Sequence, residues 1–296
     1  MSGAVPPPVE VPPWVDREEY PFTPRGFDTP EGRLAYLDEG SGAPLVMVHG
    51  NPVWSFVYRA QVRALAPGFR AVAPDLLGFG LSDTPPSPLS PAQHAQHLES
   101  LLDALELDGI TFVVQDWGGP IGLDVASRNP QRVARLVILN TWAWSVRRDW
   151  YYQAFSGFMG GPLGRFLIAR RNTFVESVMP AAYSQRSRLT PGIHDHYRNA
   201  LATRERRACC ARLPGEIISS SGWLDGIEHR LGSLADKPVD IVWGLGDVAF
   251  RRKELERWRR IFPRAHVQEL VDAGHWVQEE APEVLNGVIA AGADRS

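Results

Sequence analysis

The sequence predicts an α/β fold: a mostly parallel sheet with helices on both faces, interrupted once by a helical insertion. Three observations carry this expectation. Short apolar and β-branched runs alternate with stretches of helical periodicity. Several of those runs, PLVMVHG, ITFVVQ and VDIVWG, are almost unbroken in their apolarity, as strands buried on both faces require. The alternation also stops over residues 141–231, where aromatics and arginines dominate, and resumes afterwards.

Taken in order, strands are expected at 33–38 and 44–49, then a helix at 54–66, a strand at 70–74 and a helix at 91–105. ITFVVQ is the central strand, Gly118–Arg128 a helix that stops before Asn129-Pro130, and 133–139 another buried strand. After the insertion come the strand VDIVWG, a helix Arg252–Ile261, the strand HVQELV and a last helix beyond His275. The core is therefore assigned to 1–140 and 232–296, and a helical cap to 141–231. The proline-rich stretch 1–22 reads as an irregular arm lying on the surface.

A length of 296 residues suits one large α/β domain carrying an insertion. The net charge of -3 argues against a nucleic-acid partner. The two cysteines, Cys209 and Cys210, are adjacent and poorly placed to bridge, which suits a reducing, cytoplasmic setting. No secretory signal or membrane-spanning run is legible, so no membrane partner is expected. The paired His194 and His196 read as part of a solvated polar loop without further ligands, so no metal is expected. The arginine-rich RRKELERWRR reads as a solvated helix face.

The central chemical signal is VVQDWGGPIGLDVA, in which a buried strand runs into Asp116 and two glycines and a helix follow at once. This resembles the nucleophile elbow of the α/β-hydrolases, with an aspartate where serine is usual. A carboxylate there faces a helix N-terminus and its N–H groups. In that fold the turn HGNP, after an earlier strand, supplies one backbone donor to the oxyanion hole; the other comes from the residue after the nucleophile. Here those are Asn51 and Trp117, and Asn51 adds a side-chain amide. His275, in the loop after the last strand, is the expected general base. Asp247 follows a strand at the standard place for the acid that orients it. Asp240 lies inside that strand, Asp272 is too close to His275 in sequence, and LNTWAW after strand 133–139 offers no carboxylate.

HGNPVWSFVYR, PDLLGFGLSD, QDWGGP, the Asp247 loop and GHWVQEEAPE together resemble the haloalkane dehalogenases over nearly the whole core. The resemblance extends to the subgroup that pairs an acid after strand seven with an Asn/Trp halide pair. It implies hydrolytic dehalogenation of a small apolar halogenated substrate to an alcohol and halide, with no cofactor. Asp116 would be the nucleophile, His275 the base, Asp247 the acid, and Asn51 and Trp117 the halide-binding pair. Val114 departs from many members, which carry a smaller residue before the elbow. Trp142, Trp144, Phe155, Phe158, Phe166, Phe174, Val175 and Val178 are candidate walls of an apolar cavity. Oligomeric state is left open. Three alternatives remain: an epoxide hydrolase using Tyr151, Tyr152, Tyr183 or Tyr197, a coelenterazine-type luciferase, and a non-catalytic ligand receptor on the same fold.

Overall fold

A computed structural model describes residues 8–293. Eight strands form one sheet: β1 (Arg25–Thr29), β2 (Gly32–Glu39), β3 (Ala43–Val48), β4 (Phe69–Pro74), β5 (Ile110–Val114), β6 (Val133–Ile138), β7 (Val239–Gly244) and β8 (His266–Leu270). Their spatial order is β1-β2-β4-β3-β5-β6-β7-β8. β1 and β2 pair antiparallel, as do β2 and β4; every other pairing is parallel. β5 and β7 are buried at every position, which is why their sequences lack the alternation of a half-exposed strand.

Between strands run α1 (Arg59–Leu65), α2 (Pro91–Ala104) and α3 (Gly118–Arg128). α2 starts on a capping box in which Ser90 accepts from the Gln93 backbone and Gln93 returns the bond. The stretch expected as one helix over 54–66 divides into a 3-10 turn, Ser55–Tyr58, followed by α1. Between β6 and β7 the described residues hold no strand. They form helices Trp150–Met159, Pro162–Arg171, Pro191–Ala200, Arg204–Ser219 and Ser221–Arg230, with shorter turns between. Arg204–Ser219 packs on both of the first two, and Ser221–Arg230 packs on α3.

The arm departs from expectation. Its first seven residues lie outside the described region, but Val15, Tyr20 and Phe22 beyond them are buried, so it does not simply lie on the surface. Tyr20 packs against Trp54 and Phe56, and its hydroxyl pairs with Ser55 at 2.8 Å. The arm then leads into β1, an edge strand whose short, glycine-containing sequence gave no alternation to read. The histidine pair is corrected too. His194 and His196 are buried in helix Pro191–Ala200, not solvated. His196 stacks on Phe56 at 4.2 Å and accepts from the Asp16 backbone, pinning the arm to the insertion. No metal-binding cluster occurs among the described residues.

One buried ion pair ties the last strands to the C-terminal helix. Arg135 on β6 donates twice to Asp240 on β7 and also to the carbonyls of Val288 and Ile289. Both charges are almost wholly enclosed, and although His266 Nδ1 also lies 3.3 Å from Asp240, removing Arg135 takes two charge-assisted hydrogen bonds from a buried carboxylate. Arg135→Met is expected to lower unfolding free energy by about 3–5 kcal/mol, read as a lower urea midpoint. An unchanged midpoint would contradict this role.

Candidate active site

The expected site residues sit just past the C-terminal ends of neighbouring parallel strands, where open α/β sheets gather their ligands. Asn51 follows β3, Asp116 and Trp117 follow β5, Asp247 follows β7 and His275 follows β8. The strand order therefore brings together four segments that are separate in sequence.

Asp116 has φ of 49°, a left-handed conformation unusual for a residue other than glycine. The turn is held from several sides. The Asp116 N–H donates to the Asn140 carbonyl at 2.9 Å, and its carbonyl accepts from the Thr141 hydroxyl at 2.5 Å. Gly118 lets α3 pass close to β3, since a Cβ there would strike the Val48 carbonyl. The Asp116 side chain is presented to the turn after β3, where the Asn51 N–H donates to Oδ1 at 2.7 Å. The Trp117 N–H also serves the carboxylate. Oδ2 lies 3.8 Å from His275 Nε2. Burial pushes the Asp116 carboxyl above the usual carboxylate range, while His275 and the two N–H donors pull it back.

His275 Nδ1 is 2.8 Å from Asp247 Oδ2. Asp247 is itself fixed, accepting from the Ala249 N–H at 2.6 Å and from the Asn140 amide at 2.9 Å. Burial disfavours the imidazolium, but Asp247 and then Asp116 favour it more, and the net is a rise above the ordinary imidazole value. Sequence reasoning missed two neighbours of this triad. Asn140 occupies the place after β6 where a carboxylate was sought and not found. It bridges β6 to β7 through Gly244 in both directions while holding Asp247. Gln115, directly before Asp116, places its amide nitrogen 3.2 Å from the His275 carbonyl and 2.8 Å from His275 Nε2. Because a carbonyl only accepts, the amide nitrogen is the donor, and Nε2 must then carry a lone pair. The proton of neutral His275 is thus on Nδ1, facing Asp247.

A cavity of about 110 Å³ lies over Asp116, with almost wholly apolar walls. Of the expected wall residues, Trp142, Phe155, Phe174 and Val178 line it. Trp144, Phe158, Phe166 and Val175 do not: Trp144 packs on Trp258, Val175 is core, and Phe158 and Phe166 face outward on the surfaces of their helices. Tyr151 and Tyr152 line the cavity, but their hydroxyls donate to the Val248 and Ala249 carbonyls. Tyr183 and Tyr197 donate to Glu279, which also pairs with Arg59. None of the four tyrosines expected for epoxide chemistry thus has its hydroxyl proton directed at the cavity. The place after β6 holds Asn140, so no carboxylate there competes with Asp247 for His275.

Residues 43–282 match the α/β-hydrolase fold family. Within that class, the chain is 39% identical over 277 residues to haloalkane dehalogenase 2 of Mycobacterium tuberculosis, covering 93% of this chain and 96% of that protein. It is also 34% identical over 308 residues to a cis-3-alkyl-4-alkyloxetan-2-one decarboxylase of Xanthomonas campestris, covering 94% and 98%. The crystal structure of haloalkane dehalogenase DbeA from Bradyrhizobium elkani superposes with a TM-score of 0.83 at 26% identity, covering 92% of this chain and 99% of that one. The chain belongs to the haloalkane dehalogenase family of α/β-hydrolases.

The Gln115 contact makes a prediction that does not depend on turnover. A donor on Nε2 favours neutral imidazole, so Gln115→Met removes an opponent of the imidazolium. The His275 midpoint, followed by NMR, is expected above 6.5 in the wild type and higher still in the variant. A variant midpoint at or below that of the wild type would contradict the donor assignment.

Proposed function

We propose that this protein is a haloalkane dehalogenase that works through a covalent alkyl ester on Asp116. The observation that carries the proposal is the Asp116 carboxylate itself. It is half-buried, accepts from the Asn51 and Trp117 N–H groups, faces an apolar cavity, and leaves Oδ2 within 3.8 Å of His275. A saturated carbon has no carbonyl for a serine to add to, whereas a carboxylate can displace halide in line without a base. Oδ2 forms the new C–O bond as the carbon–halogen pair departs on the halide. The Asn51 amide and the Trp117 indole serve the leaving halide, whose charge is greatest as the bond breaks.

His275, neutral and oriented by Asp247, then takes a proton from water that adds to the ester carbonyl. The oxyanion develops on Oδ1, where the Asn51 N–H already points, with the Trp117 N–H beside the same carboxyl. Collapse releases the alcohol and restores the carboxylate. No metal or organic cofactor enters this scheme. The acid three residues beyond β7, together with Asn51 and Trp117, supports the reading of this chain as one of the subgroup with a post-strand-seven acid. In this reading 141–231 serves as a cap over the core 1–140 and 232–296, its helices contributing Phe155 and Phe174 to the cavity. A cytoplasmic location fits the free, buried Cys209 and Cys210. No helix among the described residues is long and apolar enough to cross a membrane.

The decarboxylase relative favours a second reading for the same carboxylate. Attack of Asp116 on the ring carbon bearing the lactone oxygen would open an oxetan-2-one, leaving a carboxylate instead of a halide. Loss of CO2 with expulsion of Asp116 would then give an alkene, without water. The halide reading is preferred because His275 and Asp247 supply the base that a hydrolytic step needs.

Three outcomes are expected. Wild-type protein releases halide from bromoalkanes, and Asp116→Asn abolishes that release. His275→Phe traps an alkyl adduct on the peptide containing Asp116, seen by mass spectrometry. Asn51→Ala slows displacement by about 10²–10³, by analogy with loss of an oxyanion donor. Halide release that persists in Asp116→Asn would remove the nucleophile assignment. Alkene and CO2 from a cis-dialkyl oxetan-2-one, with no halide from any haloalkane, would replace the first reading by the second.

A further inference from the structure

Trp142 lines the cavity, and its buried indole N–H has no partner. The Trp142 side chain is 2% exposed, and its Nε1–H meets no acceptor. Leaving a buried N–H unpaired is unfavourable, and such groups call for an explanation. Trp54 and Trp243 also carry unpartnered indole N–H groups, but neither lines this cavity. Trp54 is packed among Trp14, Tyr20 and Phe56, and Trp243 lies within β7. Trp258, by contrast, satisfies its indole by donating to the Thr141 carbonyl at 2.9 Å.

The position of Trp142 is specific. Its ring meets Trp117 edge-on, with centroids 4.7 Å apart, and stacks on Phe250 at 5.1 Å. Phe250 in turn stacks on His275 at 5.6 Å. Trp142 therefore stands between the indole that serves the leaving group and the ring that covers the base. Its backbone is anchored beside the elbow, because the hydroxyl of its neighbour Thr141 donates to the Asp116 carbonyl. An indole N–H is a donor only, so an anion is well matched to it. The cavity is otherwise almost wholly apolar, and the reacting centre contributes Asn51, Asp116, Trp117 and His275 to its lining.

We propose that Trp142 is a further catalytic residue, a third donor to the departing anion beside Asn51 and Trp117. This rests on the dehalogenase reading. As Asp116 Oδ2 forms its bond to carbon, the carbon–halogen pair leaves as halide, and the Trp142 N–H gains an acceptor as that charge appears. The donor is then worth more in the transition state than in the free enzyme, which is the condition for acceleration.

The test separates the N–H from the ring. Trp142→Phe removes the donor together with part of the volume. Trp142→benzothienylalanine keeps the bicyclic shape and removes only the N–H. Bromide affinity is measured by calorimetry on the full chain, and kcat/KM on a short bromoalkane, with Trp150→Phe, at an exposed tryptophan outside the cavity, as a control. Both Trp142 variants are expected to bind bromide about tenfold more weakly, as for a lost hydrogen bond to a charged group, and to lose at least as much in kcat/KM. The control should stay within about twofold, the scale of a substitution away from the site. Wild-type bromide affinity in the benzothienylalanine variant would overturn the inference, even if Trp142→Phe were impaired, because packing alone would then explain the loss. A wild-type protein that neither binds nor releases bromide would overturn the dehalogenase reading and this inference together.

Discussion

The Asp116 carboxylate is held by backbone, and the rest of the site is arranged around that hold. The left-handed turn at φ 49° lifts the side chain off the end of β5 and turns it toward the Asn51 N–H. That conformation persists only because its surroundings over-determine it: Asn140 and Thr141 from the end of β6, and a glycine where α3 crosses β3. In the proposed chemistry the same two N–H groups serve twice. They steady Oδ1 while Oδ2 attacks, and they receive the oxyanion when the ester is cleared. A serine at this turn would present one oxygen, whereas the carboxylate divides the two tasks between its oxygens.

Charge is balanced over a short path. Asp116 and Asp247 flank His275, and both favour its protonated form against the cost of burial. Gln115 acts in the opposite sense by placing a donor on Nε2. The imidazole is thus oriented by Asp247 on one side and biased toward its neutral form on the other. Forming the ester neutralises Asp116 and removes one of the carboxylates that favour the imidazolium. Asn140 stiffens the arrangement by joining β6, β7 and Asp247 through one amide.

Much of this was legible in the sequence because it is local. The buried strands announce themselves by apolar runs, and Asn51, Asp116 and Asp247 each sit within three residues of the end of one, while His275 follows the half-buried β8. The elements around them required little long-range information. What stayed hidden depends on contacts between distant segments. The arm was read as surface because proline-rich sequence carries no periodicity, yet Tyr20 finds its place only against Trp54, Phe56 and Ser55. His194 and His196 looked polar in isolation and are buried through a register that only the folded insertion provides. The cavity walls were half right for the same reason. Aromatic content marks the insertion, but helix orientation decides that Phe155 turns inward and Phe158 outward. Gln115 and Asn140 carry no motif that distinguishes them from ordinary loop residues until the triad is assembled around them.

The central claim is that carbon is attacked by Asp116 and not by water. A single turnover in ¹⁸O-water, with enzyme in excess over a bromoalkane, tests it directly. Attack by Asp116 predicts an alcohol that carries ordinary oxygen, and a peptide containing Asp116 that has gained one heavy oxygen. A labelled alcohol with an unlabelled Asp116 peptide would show direct attack by water and would contradict the claim.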